Sequence, residues 1–484
     1  MKHHSFSVIH YCVLLGVACA AAVLTGALLV GDSMRGSLRN LTLDRLGSVD
    51  TVLFAPNFID YHSDTTSAKS GRPVIYLQGS AEYNGNISGT QILAGVTVPA
   101  SWDASFIVNQ ALADKLQLKD GGELSLRLLS PQSIPPESSF GKKDNLIRTK
   151  IMVDTVITNR GIGRFSLKAD QQAEPLLIVP LDWLQTRLEV GDKINAVFYK
   201  EPPVMSAVKP TLNDLGINVN GQYITSKRML FTDEQADVIK SGAGCVGGLL
   251  YLATSIKAVK NGHEMPYSTL FAVDNDELRI TNNEITLNQW AADDLQVQPG
   301  DEIELTWFSP DNVNETKQQK FILAKIVPND TFTNDVVPDV KGFTDEKSIA
   351  DWDPPFPFDA KKIRKVDEDY WDKYRAAPKA FVDLETGQKL WGSRFGKVST
   401  FIIANHELQI ADEDYAAFNL NFVPVKQLGL AASQGTTPFS VLFLCFSFFI
   451  IASALMLVAM LFRLSIEMQA KNIGIRLACG WTPL

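Results

Sequence analysis

From Tyr11 to Gly31 the chain reads YCVLLGVACAAAVLTGALLVG without a charged residue, and from Phe439 to Phe462 it reads FSVLFLCFSFFIIASALMLVAMLF, again without one. As helices at about 1.5 Å per residue these runs are roughly 31 and 36 Å long, which matches the hydrocarbon core of a bilayer. Soluble helices of such length carry a polar face, and these carry none. A cleaved leader is the alternative for the first run, since Ala18-Cys19-Ala20 imitates a cleavage site, but the apolar stretch continues to Val30. A buried core helix is the alternative for the second.

Between the two runs the pattern changes. Asp32 to Leu46 places Met34, Leu38, Leu41 and Arg45 on one helical stripe, which predicts either an outward continuation of the first span as a stalk or a helix packed on the base of the following domain. Beyond Gly47, short runs such as Pro73–Gln78 and Gln91–Val98, bounded by Gly, Asn and Pro, predict strands. Pro180–Leu188, Thr211–Gly216 and Thr232–Lys240 predict short helices, and Lys193–Tyr199 a strand. Phe343–Phe358, rich in Pro and aromatic residues, is expected to be largely extended and packed on its own domain, with a partner-docking strap as the alternative. Asp367–Arg375 predicts a charged helix whose Tyr370 and Trp371 cover a neighbouring lobe.

One segment occurs twice. Val108–Leu126, VNQALADKLQLKDGGELSL, aligns without gaps on Leu287–Leu305, LNQWAADDLQVQPGDEIEL. Each copy predicts a helix capped by Asn109 or Asn288, a tight turn at Gly121 or Gly300, and an alternating strand. Ser130-Pro131 and Ser309-Pro310 follow, and then the apolar strands Lys150–Ile157 and Lys320–Val327. The expected fold is therefore an α+β membrane protein: two transmembrane helices flanking a large β-rich extracytoplasmic domain with an internal duplication. Its divisions are a first span over 8–31, an extracytoplasmic domain over 32–438, a second span over 439–462 and a cytoplasmic segment over 463–484. Within the domain the stalk covers 32–47, and related lobes lie around 106–159 and 284–328.

Charge sets the orientation. The tail carries Arg463, Lys471 and Arg476 against Glu467, which places it in the cytoplasm, while Arg35, Arg39 and Arg45 argue the other way beside a long domain that is translocated regardless. The 484 residues are 45% hydrophobic and 20% charged, with a net charge of -9, so the chain folds and presents no basic surface for nucleic acid. Five cysteines are too few for a disulfide framework, and the six histidines show no metal-ligand spacing. No cofactor is expected.

No enzymatic constellation is present. The sequence lacks G-x-S-x-G; His263-Glu264 and His406-Glu407 lack the second histidine of H-E-x-x-H; and Gly396-Lys397 has Trp391 and Val398 where a phosphate loop needs Gly and a hydroxyl residue. Asp293-Asp294 is expected on a solvated helix face. The chain is not expected to be an enzyme.

The tail RLSIEMQAKNIGIRLACG, Arg463 to Gly480, resembles the cytoplasmic segment of FtsX/MacB-type ABC transporter permeases with a large extracytoplasmic domain: Lys471, Ile473, Gly474, Leu477, Ala478 and Gly480 fit that pattern, while Asn472 stands where the family more often has a carboxylate. Leu24–Leu38, LTGALLVGDSMRGSL, is similar to the family's first span and stalk. An ordinary amphipathic juxtamembrane helix is the alternative for the tail. The resemblance implies a permease subunit in the bacterial inner membrane that couples ATP hydrolysis by a separate ABC ATPase to movement of the extracytoplasmic domain. It also implies a homodimer or paired permease. Glu467, Lys471, Ile473, Gly474, Leu477 and Gly480 are then the ATPase-coupling residues, and Asp32, Arg35 and Leu38 belong to the stalk. Family members have four spans, which implies that this chain is C-terminally truncated. Neither apolar run holds a charge for an ion relay, so lever motion is the mechanism that two such helices allow. The alternative is a non-enzymatic two-span sensor or assembly regulator.

Overall fold

The computed structural model describes residues 2–61, 71–99, 105–119, 121–131, 134, 146–202, 208, 210–274, 278, 280–354, 356–403, 408–433 and 439–481; His406-Glu407 lies outside them. The chain opens with one continuous helix, α1 (Lys2–Leu46). At about 1.5 Å per residue its 45 residues measure roughly 67 Å, so the predicted span and stalk form a single rod.

The first lobe contains β1 (Thr51–Ile59), β2 (Arg72–Tyr83), β3 (Asn86–Ala94), β4 (Ile107–Asn109), α2 (Gln110–Leu116) and β5 (Glu123–Leu129), followed by β6 (Leu146–Met152), β7 (Thr155–Ile157), β8 (Leu176–Val179), α3 (Leu181–Leu188) and β9 (Ile194–Tyr199). The second lobe contains β10 (Ile217–Asn220), β11 (Tyr223–Ser226), α4 (Asp233–Ala243), β12 (Val246–Ala258), β13 (Glu264–Val273), β14 (Glu284–Asn288) and α5 (Gln289–Leu295). It continues with β15 (Glu302–Ser309), β16 (Asn312–Val327), α6 (Lys365–Tyr374), β17 (Ala380–Val382), α7 (Leu384–Trp391) and β18 (Thr400–Ile402). The chain then returns to the first lobe as β19 (Asn421–Val423), crosses its base as α8 (Val425–Ser433), and leaves as α9 (Phe439–Ala478). The second lobe is thus inserted between two paired parts of the first, because β1 pairs with both β9 and β19.

In the second lobe β12 pairs with β13, β13 with β17, β17 with β14, β14 with β16, β16 with β15, and β15 with β12, which closes a small barrel and removes its sheet edges. In the first lobe the corresponding order is β2, β3, β8, β4 and β7 on one side and β2, β5 and β6 on the other. There the final strand is broken between β6 and β7, where Val153 N donates to Gly122 O at 3.1 Å and Asp154 N donates to Phe106 O at 2.9 Å. Alternation along β15 puts Ile303, Leu305 and Trp307 inside, and along β5 puts Leu124, Leu126 and Leu128 inside. Leu53, Ile59 and Tyr199 of the first lobe share one core with Ile239, Val398 and Phe401 of the second, so burial of apolar surface joins the lobes directly.

Three expectations are corrected. Thr211–Gly216 is a closed turn rather than a helix: Asp214 Oδ2 accepts hydrogen bonds from Thr211 N and Oγ1 at 2.9 and 2.7 Å, and Gly216 at φ +80° ends the turn before β10. Phe343–Phe358 folds as turns and a one-turn 3-10 helix at Ile349–Asp351 instead of running extended, held by the buried Trp352, Phe356 and Trp371. The solvated face holds for Asp293, which is exposed, but Asp294 is bonded to Arg364 at 2.7 Å.

α1 and α9 lie side by side. A Cβ placed on Gly16 would stand 3.7 Å from Val458 Cγ2, and α9 starts beside the end of α1, so the two run antiparallel. Shielded positions on α9 recur at Ser447, Ile451, Ala454, Val458, Leu461 and Ser465, alternating four and three apart, as a helix–helix seam requires. Both helices are long and apolar enough to cross a membrane.

Candidate coupling site at the stalk foot and the tail

The end of α1 is clamped to the first lobe. Leu46 is fully buried with Val52, Val74, Leu93, Phe165, Phe198 and Val425. At the preceding residue, Arg45 Nη1 donates to Ser166 O at 2.9 Å and also to Lys168 O. Burial lowers the Arg45 pKa from its ordinary value, and Glu174 opposes that shift. Asp44 Oδ1 accepts from Gly161 N at 3.1 Å.

The polar network continues inward. Ser166 Oγ accepts from Gln91 Nε2 at 3.0 Å and donates to Glu174 Oε2 at 3.2 Å. The carbonyl of Glu174 in turn accepts from Asn109 Nδ2 at 2.7 Å. Asn109 is the cap of α2, so a chain of hydrogen bonds links the foot of the rod to a buried helix cap in the first lobe.

α8 clasps the same foot from the other side. A Cβ on Gly429 would stand 3.0 Å from both Arg45 Nη2 and Thr42 Cγ2, so a larger residue here would push these side chains aside. Lys426 Nζ pairs with Asp50 Oδ1 at 2.7 Å, and its backbone N donates to Asp50 O at 3.1 Å. Beside the foot lies a cavity of about 290 Å³, lined in part by Arg45, Val49, Arg72, Val96 and Phe165. Of the predicted stalk residues, Asp32 is exposed while Arg35 and Leu38 are half-buried. Leu38 O accepts from Thr42 Oγ1 at 3.0 Å. Met34 is exposed, so the expected stripe engages the lobe only from its end. Sequence reasoning missed Thr42, Asp50, Ser166, Lys426 and Gly429. Their partners are remote in sequence, and of the clamp residues only Arg45 stands on the predicted stripe.

The predicted tail residues stand apart from this foot. Glu467, Lys471, Ile473, Gly474, Leu477 and Gly480 are all exposed, and all but Gly480 lie within α9. Arg463 Nε meets Glu467 Oε1 at 3.1 Å, an exposed pair one turn apart. A Cβ on Gly474 would meet nothing within 4 Å. Gly480, at φ +89°, ends the helix, with its own N donating to Leu477 O and Trp481 N donating to Arg476 O, both at 3.1 Å.

At about 100° per residue, Ile466, Ile473 and Leu477 form one row, and Leu464, Met468 and Ile475 form a second row on the opposite side. Of these residues, Ile473 and Leu477 of the first row are singled out by the sequence, and none of the second. The seam toward α1 lies between the two rows, and Arg463, Glu467, Lys471 and Gly474 form the face turned away from it. Among the described residues no group of His, Cys, Asp and Glu is arranged to hold a metal ion.

Scanned against protein-family models and searched against curated proteins, the chain returns no match. Part of it is similar in structure to the extracellular domain of the noncanonic ABC-type transporter YknZ from Gram-positive bacteria, at 10% identity and a TM-score of 0.17, covering 34% of this chain and 70% of that one. Part is similar to the periplasmic region of MacB from Actinobacillus actinomycetemcomitans, at 9% identity and a TM-score of 0.20, covering 33% of this chain and 79% of that one.

Proposed function

We propose that the chain is a permease subunit of an ABC transporter, in which a separate ATPase drives movement of an extracytoplasmic domain through α1 and α9. The observation that carries this reading is the unbroken rod of α1, whose last turn is locked into the first lobe by Leu46 and Arg45. A rod clamped at its foot transmits displacement; a hinged one would absorb it. The tail supports the reading through its resemblance to permease coupling segments. Its exposed Gly474 is costly in a helix interior, by about 1 kcal/mol relative to Ala, and is suited to close approach by a partner.

In this reading α1 and α9 cross the bacterial inner membrane, both chain ends lie in the cytoplasm, and the permease works as a homodimer or beside a second permease. The two lobes are copies of one duplicated unit: the aligned segments Val108–Leu126 and Leu287–Leu305 occupy corresponding places in the two sets of strand pairings.

Photo-crosslinkers at Ile473 and Leu477 test the proposal. The expected product is a covalent adduct with a P-loop ATPase, identified by mass spectrometry and lost when Gly474 is replaced by Trp. An ATPase captured equally well in Gly474→Trp refutes the docking face, and no ATPase at all favours the two-span sensor.

A further inference from the structure

The two lobes differ most at one crossover. In the first lobe the chain passes from β7 to β8 over 158–175, whereas in the second it passes from β16 to β17 over 328–379. The longer crossover builds an arch. Trp352, Phe356 and Trp371 are buried with Leu252 and Tyr267 of the barrel, so the arch has a small core of its own. Beneath it lies a cleft of about 530 Å³, roofed by Pro357–Lys362 and floored by outward-facing residues of β12, β13, β15 and β16.

The floor shows conformational strain. Tyr267 has φ +30°, unusual for a bulky residue, and drops out of the β12–β13 ladder between Pro266 and Ser268. Its ring lies 4.9 Å from Phe358, and its hydroxyl accepts from Asp359 N at 3.0 Å, which pins the roof. Strain of this kind collects where a surface is shaped for a ligand.

The lining is a mosaic. Lys257 stands directly across from Glu264 on one neighbouring strand and Glu304 on the other, and Lys362 and Asp359 add one charge of each sign from the roof. Thr254, Ser255, Thr306 and Thr316 add hydroxyls that both donate and accept. Tyr267, Phe308 and Phe358 supply ring surface between the polar groups.

We propose that this cleft binds a neutral, hydroxyl-rich chain, an oligosaccharide. Interleaved donors and acceptors match a ligand whose every hydroxyl is both, and aromatic rings match the C–H faces of sugar rings. The opposed charges largely cancel, which leaves little attraction for a strongly charged ligand. The proposal concerns the second lobe alone and stands whether or not the tail engages an ATPase.

Isothermal titration of the detergent-solubilised full chain with chitohexaose, maltohexaose and pentalysine tests it. Saturable binding of at least one of the two sugars is expected, with affinity unchanged between low and high salt. Phe358→Ala is expected to weaken that binding at least tenfold. Thr306→Val, which removes a hydroxyl with little change of shape, is expected to do the same with unchanged near-ultraviolet circular dichroism. Binding of neither sugar overturns the proposal, as does sugar binding that persists in these variants. Binding of pentalysine alone, lost in salt, assigns the cleft to a cationic peptide instead.

Discussion

Asn109 and Asn288 show how much one side chain can hold. Asn109 Oδ1 accepts from Leu112 N and Leu176 N, both at 3.0 Å, and its Nδ2 donates to Gly163 O at 2.8 Å as well as to Glu174 O. Asn288 Oδ1 accepts from Ala291 N at 2.8 Å, and its Nδ2 donates to Tyr370 Oη at 3.0 Å. Replacing either by Ala leaves buried groups unpaired, and we expect a loss of roughly 2–4 kcal/mol of stability in urea unfolding. Lys379 makes a different prediction. Its Nζ lies 4.4 Å from the Trp290 ring and 4.6 Å from the Tyr370 ring; burial pushes its pKa down to about 8, against the pull of Asp367 and Asp294. The unfolded lysine keeps its proton to higher pH than the folded one, so between about pH 8 and 10 stability rises with pH. Lys379→Met should remove that rise in melting temperature; an unchanged pH slope contradicts the assignment. The caps were legible because an Asn before a periodic run has a local meaning. Asp294 was not, because its partner Arg364 is 70 residues away.

At the scale of elements, the central feature is the continuity of α1 from Lys2 to Leu46. Pro at position 39, on an exposed turn between the apolar run and the foot, removes a helical hydrogen bond and clashes with the preceding turn, at a cost of about 3 kcal/mol. Spin labels at positions 32 and 192 should give one narrow distance distribution in the parent chain and a broad one in Arg39→Pro. A broad distribution in the parent would mean that the rod already bends. Long apolar runs and capped helices were readable because their information is local. The short strands β10, β11, β18 and β19 were not, because three or four residues acquire strand character only from distant partners. The second apolar row of the tail was also missed, since the resemblance singled out only Ile473 and Leu477 among these apolar residues.

At the scale of the whole molecule, two lobes share a core, and among the described residues the rod and α8 grip the first of them. That the second is inserted between β9 and β19 of the first could not be read from the sequence, because closure depends on pairings hundreds of residues apart. If force enters through the tail and is delivered to the lobes, the ends of the chain must share one compartment and the lobes must occupy the other. Single cysteines at position 2, at the native Cys479 and at position 192, each in a background cleared of the remaining cysteines, can be labelled in intact cells with a membrane-impermeant maleimide. The account predicts labelling at 192 alone, with 2 and 479 reacting only after the membrane is opened; labelling of either end in intact cells would contradict it.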